Sequence, residues 1–155
     1  MLWYTSLVSV GGPKEEDVRK IAEGVVLLLV LGFAIPRVAW SESPCDSVNR
    51  GLTYKNKAEW APVIARQLRA QKVDVLQSFR FESWSIIYVD THEADEVFLF
   101  YSRDPLNSHF VTMWSGAAMS NEEQSIRAWT IKNAPSIPPK LASCFAWHVT
   151  SDRDQ

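Results

Sequence analysis

Four apolar stretches lie between Val73 and Trp114, and only short polar segments separate them. Apolar and polar residues alternate in the first stretch, which is the period of a half-buried strand. The predicted strands are Val73–Phe81, Trp84–Asp90, Glu96–Ser102 and His109–Trp114. Because parallel strands need a long crossover, links this short indicate that consecutive strands run antiparallel. The sequence therefore predicts a four-stranded antiparallel meander.

Helical patterns precede and follow the strands. Trp60, Ile64 and Leu68 repeat every four residues within Lys57–Ala70, and Pro62 lies close enough to the start of this helix to be tolerated. After the strands we predict a helix that starts at Ser120 or Asn121 and ends before Pro135, and a last short helix headed by Pro138 and Pro139, with a strand over Phe145–Val149 as the alternative. The predicted fold class is α+β, with an N-terminal helix, the meander, and one or two C-terminal helices.

The second and third strands are apolar on both faces, whereas a sheet with one solvated face alternates more regularly. Either both faces are covered within one molecule, or one face is left for a partner. Five aromatic side chains in or near these strands form a candidate binding surface: Trp84, Tyr88, Phe98, Phe100 and Trp114. The simpler interpretation is that they form an aromatic core.

An apolar segment, Gly24–Ile35, precedes the predicted domain. Its twelve residues are too few for a helix to cross a bilayer core about 30 Å thick, but they suit the apolar part of a secretory signal peptide. Arg19 and Lys20 supply the positive flank, and we predict cleavage after Ser41, with Ala39 as a second possible site. An uncleaved membrane anchor and an internal core helix are the alternatives.

The residues before the basic pair carry no targeting pattern. One back-translation of Lys14–Val18 gives a purine-rich ribosome-binding sequence, a short spacer and a GTG initiator codon. We therefore interpret residues 1–17 as a mis-annotated leader, residues 18–41 as the signal peptide and residues 42–155 as one globular domain; the alternative is a genuine N-terminal extension. On this interpretation the protein is bacterial and is periplasmic or secreted.

The predicted domain has 12 basic and 14 acidic residues, a net charge of −2, and so has no basic excess that would favour nucleic acid. Its two cysteines, Cys45 and Cys144, are predicted to form a disulfide, because export exposes them to an oxidising compartment. The alternative is a Cys144 nucleophile assisted by His148, four residues further on. After cleavage we expect no stable membrane anchor.

The densest polar segment is Asp90–Glu96, and His92 and Glu93 in it, with His109, form a candidate polar site. A histidine among carboxylates could hold a divalent metal, but the spacing matches no known motif, and a solvated loop is the simpler interpretation. We predict no metal and no cofactor, and the sequence contains no nucleophile elbow, phosphate-binding glycine loop or zinc-protease motif.

These features favour a non-enzymatic periplasmic binding protein of the inhibitor or immunity type, with a protein partner. Two alternatives remain open. One is a small hydrolase that uses His92, Glu93 or His109, and the other is a carrier that holds an apolar small molecule between sheet and helices.

Overall fold

The computed structural model describes residues 42–152. The predicted leader and signal peptide lie outside the described residues. The elements are α1 (Tyr54–Leu68), β1 (Asp74–Phe81), β2 (Trp84–Asp90), β3 (Val97–Tyr101), β4 (Thr112–Ser115), a 3₁₀ turn (Ser120–Glu122), α2 (Glu123–Asn133), α3 (Pro139–Trp147) and a π turn (His148–Asp152). Within this part of the chain, no helix is long and apolar enough to cross a membrane.

The four strands form one antiparallel sheet in the order β1-β2-β3-β4. This confirms the predicted meander, including the two-residue turn at Glu82 and Ser83 between β1 and β2. The fourth strand starts at Thr112 and not at His109. Residues 109–111 belong to the incoming loop, which joins the sheet through a hydrogen bond from Val111 N to Phe100 O of 2.7 Å.

Helix α1 begins at Tyr54, three residues before the predicted start. Thr53 is its N-cap, and the Thr53 hydroxyl accepts a hydrogen bond of 3.1 Å from the backbone N–H of Asn56. Pro62 therefore lies inside the helix and not near its start, so that prediction was wrong. The Pro62 side chain is exposed, and its ring nitrogen supplies no hydrogen bond to the preceding turn of the helix.

The C-terminal part of the domain is helical. Pro139 occupies the first turn of α3, where its missing N–H costs nothing. The helix runs to Trp147 and continues as the π turn His148–Asp152, so the alternative strand over Phe145–Val149 does not form. The fold is therefore α+β with two C-terminal α-helices.

Both faces of the sheet are covered within the described residues. On one face, Trp60 and Ile64 of α1 pack in a cluster with apolar residues of all of β1, β2 and β3, including Ile87 and Leu99. On the other, α2 and α3 cover a larger cluster that includes Phe79, Phe98 and Phe100. The apolar character of β2 and β3 on both faces is explained by this three-layer packing, which was one of the two arrangements left open by the sequence.

Two links join the segment before α1 to the end of the chain. Cys45 and Cys144 form the predicted disulfide, so neither is available as a nucleophile. Arg50 also donates to the Asp152 carboxylate at 2.8 Å, and Nδ1 of the buried His148 lies 3.2 Å from the same oxygen. The segment that starts the domain is thus held against α3 and the π turn by one covalent and one polar link.

Candidate functional site

A cleft of about 430 Å³ opens at the end of the sheet where the β1–β2 hairpin turns. Three segments line it: the start of α1, the hairpin and the loop after β3. The lining residues are Asn56, Glu59, Trp60, Arg80, Glu82, Ser83, Trp84, Ser85, Arg103, Asp104, Pro105 and Leu106. We call this the Trp60–Trp84 cleft, after the two indoles that line it.

The hairpin turn holds Glu82 in an unusual backbone conformation. Its φ is 54°, in the left-handed region that a residue with a side chain enters at a cost of about 1–2 kcal/mol. Hairpin turns of two residues usually place glycine, asparagine or aspartate at such a position. A glutamate retained there at the lip of a cleft is a local conflict of the kind that clusters at functional sites.

The loop on the opposite side of the cleft is fixed by Asp104. Its side-chain oxygen accepts from the Leu106 amide at 2.9 Å, and its carbonyl accepts from Asn107 N at 3.0 Å and from Ser108 Oγ at 2.9 Å. These bonds make a compact turn around the buried Pro105. Arg103, the residue before this turn, is thereby held at the cleft with its side chain exposed.

Two guanidinium groups line the cleft without a carboxylate within 4.0 Å in residues 42–152. Arg80 lies over the Trp60 ring at 5.9 Å and donates from Nη2 to Gly51 O at 3.1 Å. Its buried Nε has no hydrogen-bond acceptor in the described structure. Arg103 forms no ion pair with any described residue. Arg80 and Arg103 are therefore two cations of the cleft that no carboxylate in residues 42–152 neutralises.

The cleft also carries carboxylates. Glu59 lies 3.5 Å from Lys55 one helical turn earlier, an exposed pair of small energetic value. Asp104 is engaged in its own turn, as described above. Glu82 has no salt-bridge partner in the described part of the chain. The lining therefore offers groups of both signs beside two indoles that are mostly buried, since Trp60 is 5% exposed and Trp84 is 6% exposed.

The structure places the five predicted binding aromatics on one face of the sheet, as neighbours in the register. That face is the one under α2 and α3, where Phe145 packs against Phe98 at 5.1 Å, Phe100 at 5.0 Å and Trp114 at 5.5 Å. Phe98 and Phe100 are fully buried, and Tyr88 and Trp114 are partly buried against the same cluster. The candidate binding aromatics therefore lie on a face that the C-terminal helices cover, as in the simpler interpretation of an aromatic core.

Trp84 is the one member of this set that also lines the Trp60–Trp84 cleft. It occupies the position after the hairpin turn, opposite Phe81. One edge of the predicted surface thus reaches the candidate site through this residue.

The candidate polar residues do not come together. His92 and Glu93 line one shallow cleft with Gln71, Lys72 and Thr91, whereas His109 lines another beside the C-terminal half of α1. The Glu93 carboxylate accepts a hydrogen bond of 3.1 Å from the backbone N–H of Gln71. The arrangement that a hydrolase would need, with two of these groups in hydrogen-bond contact, is not seen in the described residues.

His92 lies between two carboxylates. Its Nε2 lies 2.8 Å from Asp74 Oδ2, and its Nδ1 lies 3.2 Å from Asp90 Oδ2. Hydrogen bonds from Lys72 and then His92 hold the pKa of Asp74 below its usual value. Because the two carboxylates contact opposite sides of the ring, their oxygens do not converge on one point. Among the described residues, no three His, Cys, Asp or Glu side chains are grouped so that they could hold a metal ion.

Sequence reasoning did not find the Trp60–Trp84 cleft. Trp60, Arg80 and Arg103 belong to three segments that are far apart in the chain, and their spacing matches no motif. The apolar periodicity of α1 predicts Trp60 as a core residue, and only 5% of its surface is exposed. The one available signal was Glu82-Ser83, a hairpin turn without the glycine or asparagine that such turns favour.

Comparison with known proteins finds no relative of this chain. No model of a known protein family matches the chain, and no curated protein or solved structure is significantly similar to it.

Proposed function

We propose that this protein is exported by a bacterium and acts by binding a peptide segment of a protein partner in the Trp60–Trp84 cleft. Translation starts at Val18, the signal peptide ends at Ser41, and the mature domain works in the periplasm or outside the cell. The disulfide supports the compartment, because such bonds persist in oxidising environments and are rare in the cytosol.

The binding site rests on one observation, which is that two guanidinium groups without an ion pair in residues 42–152 line the same cleft as two indoles. Arginine and tryptophan are enriched among residues that carry binding energy. A carboxylate of the ligand would pair with Arg80 or Arg103, and bidentate geometry makes such pairs strong. Glu82 would receive a cationic or hydroxyl group of the ligand.

A peptide segment combines these features. It has side chains of both signs, backbone amides for the serines and apolar side chains for the tryptophans. A segment within a folded partner fits the inhibitor or immunity type of function, in which a small exported protein blocks another exported protein. A free peptide offers the same chemistry, so the test has to separate the two sources.

Selection of displayed peptides tests this proposal. The full chain, exported by a bacterial host and purified in its secreted form, is immobilised and used to select from a random peptide library. We expect acidic peptides with aromatic or aliphatic residues to be enriched and to quench tryptophan fluorescence. Their affinity should fall at least about tenfold in Arg103→Glu, since one charge-assisted contact becomes a repulsion.

Lys132→Glu is the matched control, because Lys132 is an exposed cation at the end of α2 outside the cleft. Peptides that bind wild type and Lys132→Glu equally, and Arg103→Glu weakly, support the site. Peptides that do not distinguish Arg103→Glu from wild type contradict it. If a partner protein displaces the selected peptide from the cleft, the ligand is a segment of a protein. If no protein displaces it, the ligand is a free peptide.

Mass spectrometry tests the proposed start and cleavage sites. In a strain blocked in signal cleavage, we expect the longest product to begin at the initiator that replaces Val18. A peptide from Met1–Lys14 would contradict that start. The hydrolase and apolar-carrier alternatives have less support, because the polar residues line separate clefts and the Trp60–Trp84 cleft is open to solvent.

A further inference from the structure

A chain of hydrogen bonds runs from the core of the sheet to the loop that carries Arg103. The hydroxyl of the fully buried Tyr101 donates to Gln67 Oε1 at 2.8 Å. Gln67 Nε2 donates in turn to Ser108 O at 2.8 Å. Ser108 Oγ donates to Asp104 O at 2.9 Å and also lies 3.4 Å from Arg103 O. Gln67 therefore ties the turn after β3 to the last turn of α1.

The two partners of Gln67 fix the direction of its side-chain amide. A backbone carbonyl can only accept a hydrogen bond, so the amide nitrogen and not the amide oxygen has to face Ser108 O. The oxygen then faces Tyr101, which donates to it. Burial raises the pKa of Tyr101 above its ordinary value, so the hydroxyl keeps the proton that it donates. A glutamine satisfies both neighbours at once, because its side chain ends in one acceptor and one donor group.

Packing alone does not require this polar pair. Gln67 lies seven residues after Trp60 and three after Ile64, so it occupies the core-facing stripe of α1, where apolar side chains are expected. Phenylalanine in place of Tyr101 and leucine in place of Gln67 would fill the same positions and leave no buried polar group to satisfy. Departures from the local pattern of this kind concentrate at functional sites.

The turn that Gln67 holds forms one wall of the Trp60–Trp84 cleft, which Arg103 and Leu106 both line. The hydrogen bonds of Asp104 fix the internal shape of this turn, but they do not attach it to α1, whose start lines the same cleft. The bond from Gln67 to Ser108 supplies that attachment from the other side of the turn.

We propose that Gln67 is a positioning residue for ligand binding, which holds the turn after β3 against α1 and so keeps Arg103 at the cleft; this role rests on the proposed function. Gln67 lines the adjoining cleft beside His109 and acts on the ligand through Arg103. A charged group that is held in place before the ligand arrives loses less freedom on binding, so the attachment raises affinity.

Two double variants of identical composition test this role. Tyr101→Phe with Gln67→Leu replaces the polar pair by apolar side chains and removes the bond to Ser108. Tyr101→Phe with Gln124→Leu is the matched control, because Gln124 is exposed on α2 and the bond from Gln67 to Ser108 is kept. Circular dichroism confirms that both are folded. The acidic peptides selected on secreted wild type should bind the first variant about three- to tenfold more weakly than the control, which is the cost of ordering one released side chain.

Two further measurements separate positioning from a general effect on folding. Adding Arg103→Ala to both variants should abolish their difference in affinity, because Gln67 acts through that side chain, whereas a purely structural effect would persist. Without any peptide, the backbone amides of Leu106 and Asn107 should exchange their hydrogens faster in the Gln67→Leu variant than in the control, because the turn opens more often.

Equal peptide affinity in the two variants overturns the role of Gln67, and so does a difference that survives Arg103→Ala or equal exchange of the two amides. The proposed function fails by another result, which is wild-type affinity in Arg103→Glu. Because amide exchange needs no ligand, the attachment of the turn by Gln67 is tested even in that case.

Discussion

Glu82 shows at the residue scale how a locally unfavourable choice can point to a site. Its left-handed backbone would suit glycine, and its carboxylate reaches no salt-bridge partner in residues 42–152. Nothing in the folding of the hairpin requires this side chain. The conformation of Glu82 is therefore a cost to the domain that no described ion pair offsets.

Replacing Glu82 with glycine measures the cost of its left-handed backbone conformation. We expect Glu82→Gly to raise the free energy of unfolding by about 0.5–1 kcal/mol, because relief of the left-handed strain exceeds the added entropy of the unfolded chain. Urea denaturation measures the change. Ser83→Gly is the control, since Ser83 does not have positive φ and should lose stability on the same substitution. A loss of stability in Glu82→Gly would contradict this account of the turn.

Asp152 should give the domain part of its acid sensitivity. Burial raises the pKa of this carboxyl, but hydrogen bonds from His148 and Arg50 outweigh burial and hold the pKa below its ordinary value of 3.8. Because the folded pKa is the lower one, the stabilisation is present above the unfolded pKa and is lost as pH falls through the folded pKa. We expect Asp152→Asn to lower stability at pH 7 by about 1 kcal/mol.

The measurement is the difference in unfolding free energy between wild type and Asp152→Asn, followed from pH 7 down to about pH 2. The difference should shrink below about pH 4 as the wild-type carboxyl is protonated. Two curves that stay parallel over this range would show that Asp152 is not stabilised by its charge.

At the scale of elements, the sheet was predictable because strand signals are local. Alternation and short polar turns specify antiparallel neighbours before any tertiary contact is known, and the register confirms them. The ends of the helices were less predictable, because side-chain hydrogen bonds determine where a helix starts. The Thr53 cap extends α1 toward the N-terminus, and that extension moves Pro62 into the helix interior.

The disulfide is the strongest single link between elements. It joins the segment before α1 to α3 across a sequence separation of 99. Loop-closure entropy predicts roughly 4.7 kcal/mol for a loop of this size, against a total of about 5–15 kcal/mol for a typical domain. We expect the double variant Cys45→Ala, Cys144→Ala to lose most of this energy.

Urea denaturation with and without reductant measures that loss. Reduced wild type and the double variant should unfold at the same urea concentration, well below oxidised wild type. The polar link through Arg50 and Asp152 should keep the end of the chain in place where the variant still folds. A double variant as stable as oxidised wild type would contradict the role given to the bond.

At the scale of the whole molecule, the composition of the core was predictable but the location of the site was not. Aromatic residues on strands indicate that the strands pack against something, and the sequence left open whether a helix or a partner covers them. The helices cover them, so Phe98 and Phe100 belong to the core, and Trp84 lines the Trp60–Trp84 cleft. A site assembled from a hairpin, a helix start and a loop leaves no linear pattern from which it could be predicted.

The compartment underlies the whole account, because the disulfide and the proposed exported partner both depend on it. The direct measurement is the intact mass of the protein recovered from each cell fraction after alkylation without reduction. We predict a product in the periplasm or medium that begins at Glu42 and carries no alkyl group on Cys45 or Cys144. A cytosolic product that retains residues 18–41, with both cysteines alkylated, would contradict the account.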